Sequence, residues 1–130
     1  MTAVDTNILL RVITRDSEPE ARRAFALLKN QERIFIPKTV LLELEWVLRR
    51  SYGYSPEQIL ALYHELLNTP TIELEDEAAI TQAITWFERG MDFADSLHVA
   101  SSGPECTFAT FDVALQRMAL RLGACKIIVP

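Results

Sequence analysis

Ala3-Val4-Asp5-Thr6-Asn7-Ile8-Leu9-Leu10 reads as a short buried strand that turns at an aspartate straight into a helix. The pattern returns later in the chain, where Cys106-Thr107-Phe108-Ala109-Thr110-Phe111 meets Asp112 and a helix that Gly123 stops near Leu122. Between them lie Ile34-Phe35-Ile36, ended by Pro37, and the alternating Thr71-Ile72-Glu73-Leu74, with Lys126 to Val129 as a closing strand. Helical stretches separate these segments. One begins at Ser17-Glu18-Pro19-Glu20, a capping-box pattern. Others run from Thr39 to Arg50, from Ser55, from Glu77 to Arg89, and from Asp92 to Ser101. Short apolar strands alternating with helices predict an α/β architecture: a central, mostly parallel sheet of about four to five strands flanked by helices on both faces.

The chain has 130 residues, 49% of them apolar and 24% charged, which suits one folded domain over 1–130 with a real core. Its net charge of −5 argues against wrapping nucleic acid by bulk charge, yet leaves room for an enzyme whose carboxylates carry metal ions. Glu43 and Glu45 interrupt the apolar run around Leu41, and the first residues lack the basic and apolar regions of a signal peptide. No membrane association and a cytoplasmic location are expected. Cys106 and Cys125 lack metal or redox spacing and are expected to be reduced and buried. His64 and His98 form no zinc pattern.

In an open parallel sheet, sites form beyond the carboxyl ends of the strands. Asp5 and Asp112 stand at two such ends. Asp92 and Asp95 share one face in the first turn of a helix. Each Asp that precedes a helix is also a good N-cap, so position alone leaves both roles open. On a helical wheel Glu43 borders the face of Val40, Leu44, Val47 and Leu48, with no cation on its own helix placed to pair with it. It is expected to be half-buried. Glu45, with Arg49 at i+4, is expected to be solvated surface. Converging carboxylates would repel one another, and oxygen-only ligation of that kind suits Mg²⁺ or Mn²⁺.

Four segments carry a resemblance to a known family. Val4-Asp5-Thr6-Asn7-Ile8-Leu9-Leu10, Ile36-Pro37-Lys38-Thr39-Val40-Leu41-Leu42-Glu43-Leu44, Asp92-Phe93-Ala94-Asp95-Ser96-Leu97-His98-Val99-Ala100 and Thr110-Phe111-Asp112 resemble, in order, the acidic motifs of PIN-domain proteins. The short length resembles the VapC toxins of bacterial toxin–antitoxin pairs. The resemblance implies a metal-dependent ribonuclease that leaves 5′-phosphate and 3′-hydroxyl ends. Asp5, Glu43, Asp95 and Asp112 would be the acidic quartet, with Asp92 a possible further ligand. Thr6, Asn7 and Thr110 would orient carboxylates or water. Arg11, Arg15 and Lys38 are candidates to meet the RNA. A small VapB-type antitoxin, inserting a basic side chain among the acids, would be the partner, with Trp46, Leu62, Tyr63 and Leu66 as candidate lining of a groove for its helix. A homodimer is likewise implied.

Many relatives carry a further acid just after the fourth motif, where Val113 and Ala114 stand here. That departure bears on a second metal site and keeps open a PIN-like module that binds RNA or protein without cutting. Two other classes fit poorly. A phosphoacceptor domain of the receiver kind needs an acidic pair at the first strand and a Lys at a later strand end. A DxDx[TV] phosphotransferase needs an acid where Asn7 stands.

Overall fold

The computed structural model describes all residues from Met1 to Pro130. Backbone contacts divide the chain into two compact units, Met1–Glu75 and Asp76–Pro130.

In the first unit, β1 (Thr2–Ala3) leads into α1 (Thr6–Thr14) and α2 (Glu18–Asn30). β2 (Ile34–Ile36) leads into α3 (Lys38–Tyr52) and α4 (Pro56–Leu67), and β3 (Ile72–Leu74) follows. The strands pair in parallel in the order β1-β2-β3, with Thr2 opposite Ile34 and Ile34 opposite Ile72. Ile34, Ile36, Leu41, Leu44, Leu48, Ile59 and Tyr63 are buried, so the sheet and the inward stripe of α3 share the core of this unit. Gly53 ends α3 at a φ of 67°, a left-handed turn that costs a glycine little. Ser55 starts α4 with a complete capping box to Gln58.

In the second unit, α5 (Glu77–Glu88) and α6 (Phe93–Ser102) precede β4 (Phe108–Ala109), α7 (Val113–Leu122) and β5 (Ile127–Ile128). β4 and β5 pair in parallel. Trp86, Met91, Val99, Leu115 and Ala119 form the buried centre, and Phe93 meets Phe87 edge-on with ring centroids 5.5 Å apart. None of the helices is long and apolar enough to cross a membrane.

The α/β class is as expected, but the continuous sheet has three strands, not four to five, and the other two pair separately. The segments at Asp5 and Asp112 enter their helices so early that β1 and β4 keep only two residues each. So short a strand supports only a brief ladder. The expected capping box at Ser17 is also absent, because its side chain caps nothing and Glu20 turns instead to Arg11 at 2.6 Å. Cys106 and Cys125 are free thiols as expected, but Cys106 is exposed and Cys125 half-buried.

Candidate active site

Asp5 lies just past β1 and caps α1, its Oδ1 accepting the backbone N–H of Ile8 at 3.1 Å. The next residue, Thr6, is buried and its hydroxyl donates to Oε1 of Glu43 on α3. That bond ties the second acidic segment to the residue beside Asp5. Asn7 is exposed and lines a crevice of about 440 Å³ with Ile8, Arg11, Arg23 and Leu27.

The carboxylates of α3 reverse the sequence expectation. Glu43 is exposed, whereas Glu45 is 2% exposed and pairs with Arg49 at 2.8 Å. The buried stripe runs through Leu41, Leu44, Glu45 and Leu48, at i, i+3, i+4 and i+7. It lies about one residue away from the face read through Val40 and Val47. Tyr63 of α4 packs on the same stripe, donating its hydroxyl to the Leu41 carbonyl. Burial, then the charge of Glu45, pushes the Tyr63 phenol well above its ordinary range.

In the second unit, Asp92 caps α6 through the Asp95 N–H at 3.1 Å, and Asp112 caps α7 through the Leu115 N–H at 3.1 Å. Thr110 supports the last turn, its hydroxyl accepting the Asp112 N–H at 2.9 Å. Asp95 is half-buried. Burial, followed by the charges of Asp92 and Asp112, raises its pKa, and His98 opposes the rise. The three acids are therefore within electrostatic reach of one another.

Asp5, Asp92 and Asp112 are N-caps, yet this leaves each a free oxygen. The caps occupy Oδ1 of Asp5, Oδ2 of Asp92 and Oδ1 of Asp112, and the Thr6 bond occupies Oε1 of Glu43. Within neither unit are three or more His, Cys, Asp or Glu side chains arranged as a ready metal cage. The donors are nevertheless of the right kind, since hard carboxylate oxygens with mutual repulsion fit a hard divalent cation.

The candidate cations differ from one another. Arg11 pairs with Glu20 at 2.6 Å and Asp16 at 2.9 Å. Arg15 is exposed in a left-handed conformation at the end of α1. Lys38 is half-buried at the start of α3, its backbone N–H held by the Glu75 carboxylate at 2.9 Å. Glu75 thereby supplies a cap that Pro37 cannot. A partner so distant in sequence left no local signal.

Of the candidate groove residues, Tyr63 and Leu66 are buried. Trp46 is 52% exposed beneath the Arg50 guanidinium. Leu62 and Leu66 line a cavity of about 590 Å³ with Leu9, Val12, Ile13 and Phe25.

Comparison with known proteins gives the same family as the motifs. The family model described as PIN domain matches residues 2–120. The VapC ribonuclease of Aquifex aeolicus (strain VF5) is similar to this chain, 27% identical over 92 residues that cover 68% of each protein. No solved structure matches significantly.

Proposed function

The chain belongs to the PIN-domain family, and from that premise we propose that it is a metal-dependent endoribonuclease of the VapC type. The observation that carries this reading is the grouping of Asp92, Asp95 and Asp112 without a Lys or Arg ion pair; burial first, and then the charges of Asp92 and Asp112, raise the Asp95 pKa against a smaller opposing effect of His98. Asp5, Glu43, Asp95 and Asp112 would hold one or two Mg²⁺ or Mn²⁺ ions, with Asp92 as a further ligand. Such an ion supplies activation of a water and charge compensation for the phosphodiester. Thr6 hydrogen-bonds Glu43 and Thr110 holds the turn at Asp112, so both would help orient the carboxylates, and Asn7 would orient water or a carboxylate. Arg15 and Lys38 are candidates to meet the RNA backbone. Arg11 is already engaged by two carboxylates and would have to exchange partners to do so.

On the same reading, 1–130 acts as one PIN-like domain in the cytoplasm, as a homodimer inhibited by a VapB-type antitoxin. The apolar cavity lined by Leu9, Phe25, Leu62 and Leu66 is a fitting place for the antitoxin's helix.

Cleavage of a mixed RNA pool tests the activity, using the purified chain with Mn²⁺ or Mg²⁺, with EDTA, and alongside Asp5→Asn and Asp112→Asn. Cutting that requires the metal and is lost in both variants is the expected result. Cutting that survives both substitutions would sink the assignment. A folded protein that binds RNA but cuts none would favour the non-catalytic module, which the absence of an acid at Val113 and Ala114 keeps in play.

A further inference from the structure

Phe111 is 76% exposed, more than Phe25 at 50% or Trp46 at 52%, the other strongly exposed aromatic side chains. It stands between two pinned residues. The Thr110 N–H donates to the Ile128 carbonyl at 3.0 Å, and the Thr110 carbonyl accepts from Nε2 of Gln116 at 3.3 Å. On its other side, Asp112 donates its N–H to the Thr110 hydroxyl and caps α7. The ring is thus presented from a turn fixed on both flanks, and binding to it would cost little ordering of the backbone. Phe111 directly precedes Asp112, the acid that caps α7 and belongs to the proposed metal set.

We propose that Phe111 is a stacking platform for a nucleobase next to the scissile phosphate, a substrate-positioning role that rests on the ribonuclease reading above. A net charge of −5 gives this chain little general attraction for RNA, and stacking is a source of grip that needs no positive charge. Stacking on an aromatic face tolerates any base, so Phe111 would hold the strand in register without choosing its sequence.

The test compares wild type, Phe111→Ala and Phe111→Trp on a short single-stranded RNA carrying a cut site mapped from the pool. Matched RNAs have the nucleotide on one side of the cut, then the other, made abasic. The alanine variant should raise KM for the intact RNA on the order of 10-fold, with the loss falling in KM rather than kcat, and tryptophan should restore it. On one of the two abasic RNAs, wild type and Phe111→Ala should become equal, because the base that stacks is gone.

An unchanged KM, or the same penalty on every RNA, would overturn the proposal. So would a fall in solution mass on Phe111→Ala, which would assign the ring to contact with a second copy. A wild-type protein that cuts no RNA would instead remove the ribonuclease reading, and this inference with it.

Discussion

The two units treat their carboxylates in opposite ways. In the first, Asp5 has only its capping N–H, but four other acids are met by side-chain or helix-end donors: Glu43 by the Thr6 hydroxyl, Glu45 by Arg49, Asp16 by Arg11 and Tyr52, and Glu75 by the Lys38 N–H. In the second, Asp92 and Asp112 receive only capping N–H groups, while Asp95 has its burial and two neighbouring charges, which His98 only partly offsets. The first unit gives most of these acids a partner within itself. The second keeps an unbalanced negative charge, costly in a resting protein and useful to one that captures a cation.

The sharpest way to break this contrast is Asp95→Asn. Cleavage should fall about 100-fold or more, since even partners outside a metal's ligand set cost roughly 10–100-fold. The same variant should be more stable than wild type in EDTA at neutral pH. A carboxyl whose folded pKa is raised destabilises the fold above that value, and the penalty disappears once pH falls below the ordinary carboxylate range. Thermal melts across pH, with and without the substitution, would check the sign. Equal stability at neutral pH would mean that the crowding carries no cost.

In the first unit the corresponding damage is to stability. Arg49→Ala leaves Glu45 buried without that partner and should cost about 2–3 kcal/mol in urea unfolding, less than a fully buried pair because Arg49 is 39% exposed. A loss below about 0.5 kcal/mol would place this pair among ordinary surface contacts. Thr6→Val removes the hydroxyl from Glu43 and should lower cleavage roughly 10–100-fold, with Thr6→Ser retaining most activity. Equal rates for the two variants would show that Glu43 needs no such support.

The smallest effect is expected at Asp16, whose pKa the Tyr52 hydroxyl, then Thr14 and Arg11, hold below the usual range. Its stabilising contribution is present above the ordinary carboxylate pKa and fades as pH falls through the lowered value. The gap in melting temperature between wild type and Asp16→Asn should therefore close in strong acid. A gap that stays constant would assign the contribution to something other than charge.

Local sequence carried much of this picture. Asp5, Asp92 and Asp112 mark helix starts, Pro37 ends a strand and Gly53 ends a helix, all within a few residues of the signal that encodes them. What could not be read depends on partners from distant elements. Glu45 is buried because Arg49 neutralises it on one side while Tyr63 of α4 packs beside it, and no wheel drawn for α3 alone contains Tyr63. The Glu20 half of the Ser17 capping box is missing because Arg11, from the preceding helix, engages the Glu20 carboxylate. The division of the strands into two sheets is a matter of tertiary pairing, which strand-like segments do not specify. For the candidate site, residue types and order were legible, whereas the exposure of Glu43 and its bond to Thr6 were not.

The brevity of β1 has a consequence in time. This two-residue strand pairs with Ile34, made about 30 residues later, and the sheet is completed only by β3. At ~5–20 residues per second of synthesis, Asp5 waits seconds for the strand that fixes its place, and Asp112 follows several seconds after that. Any RNA cutting that depends on all four acids can begin only once Asp112 has been made, after most of these residues.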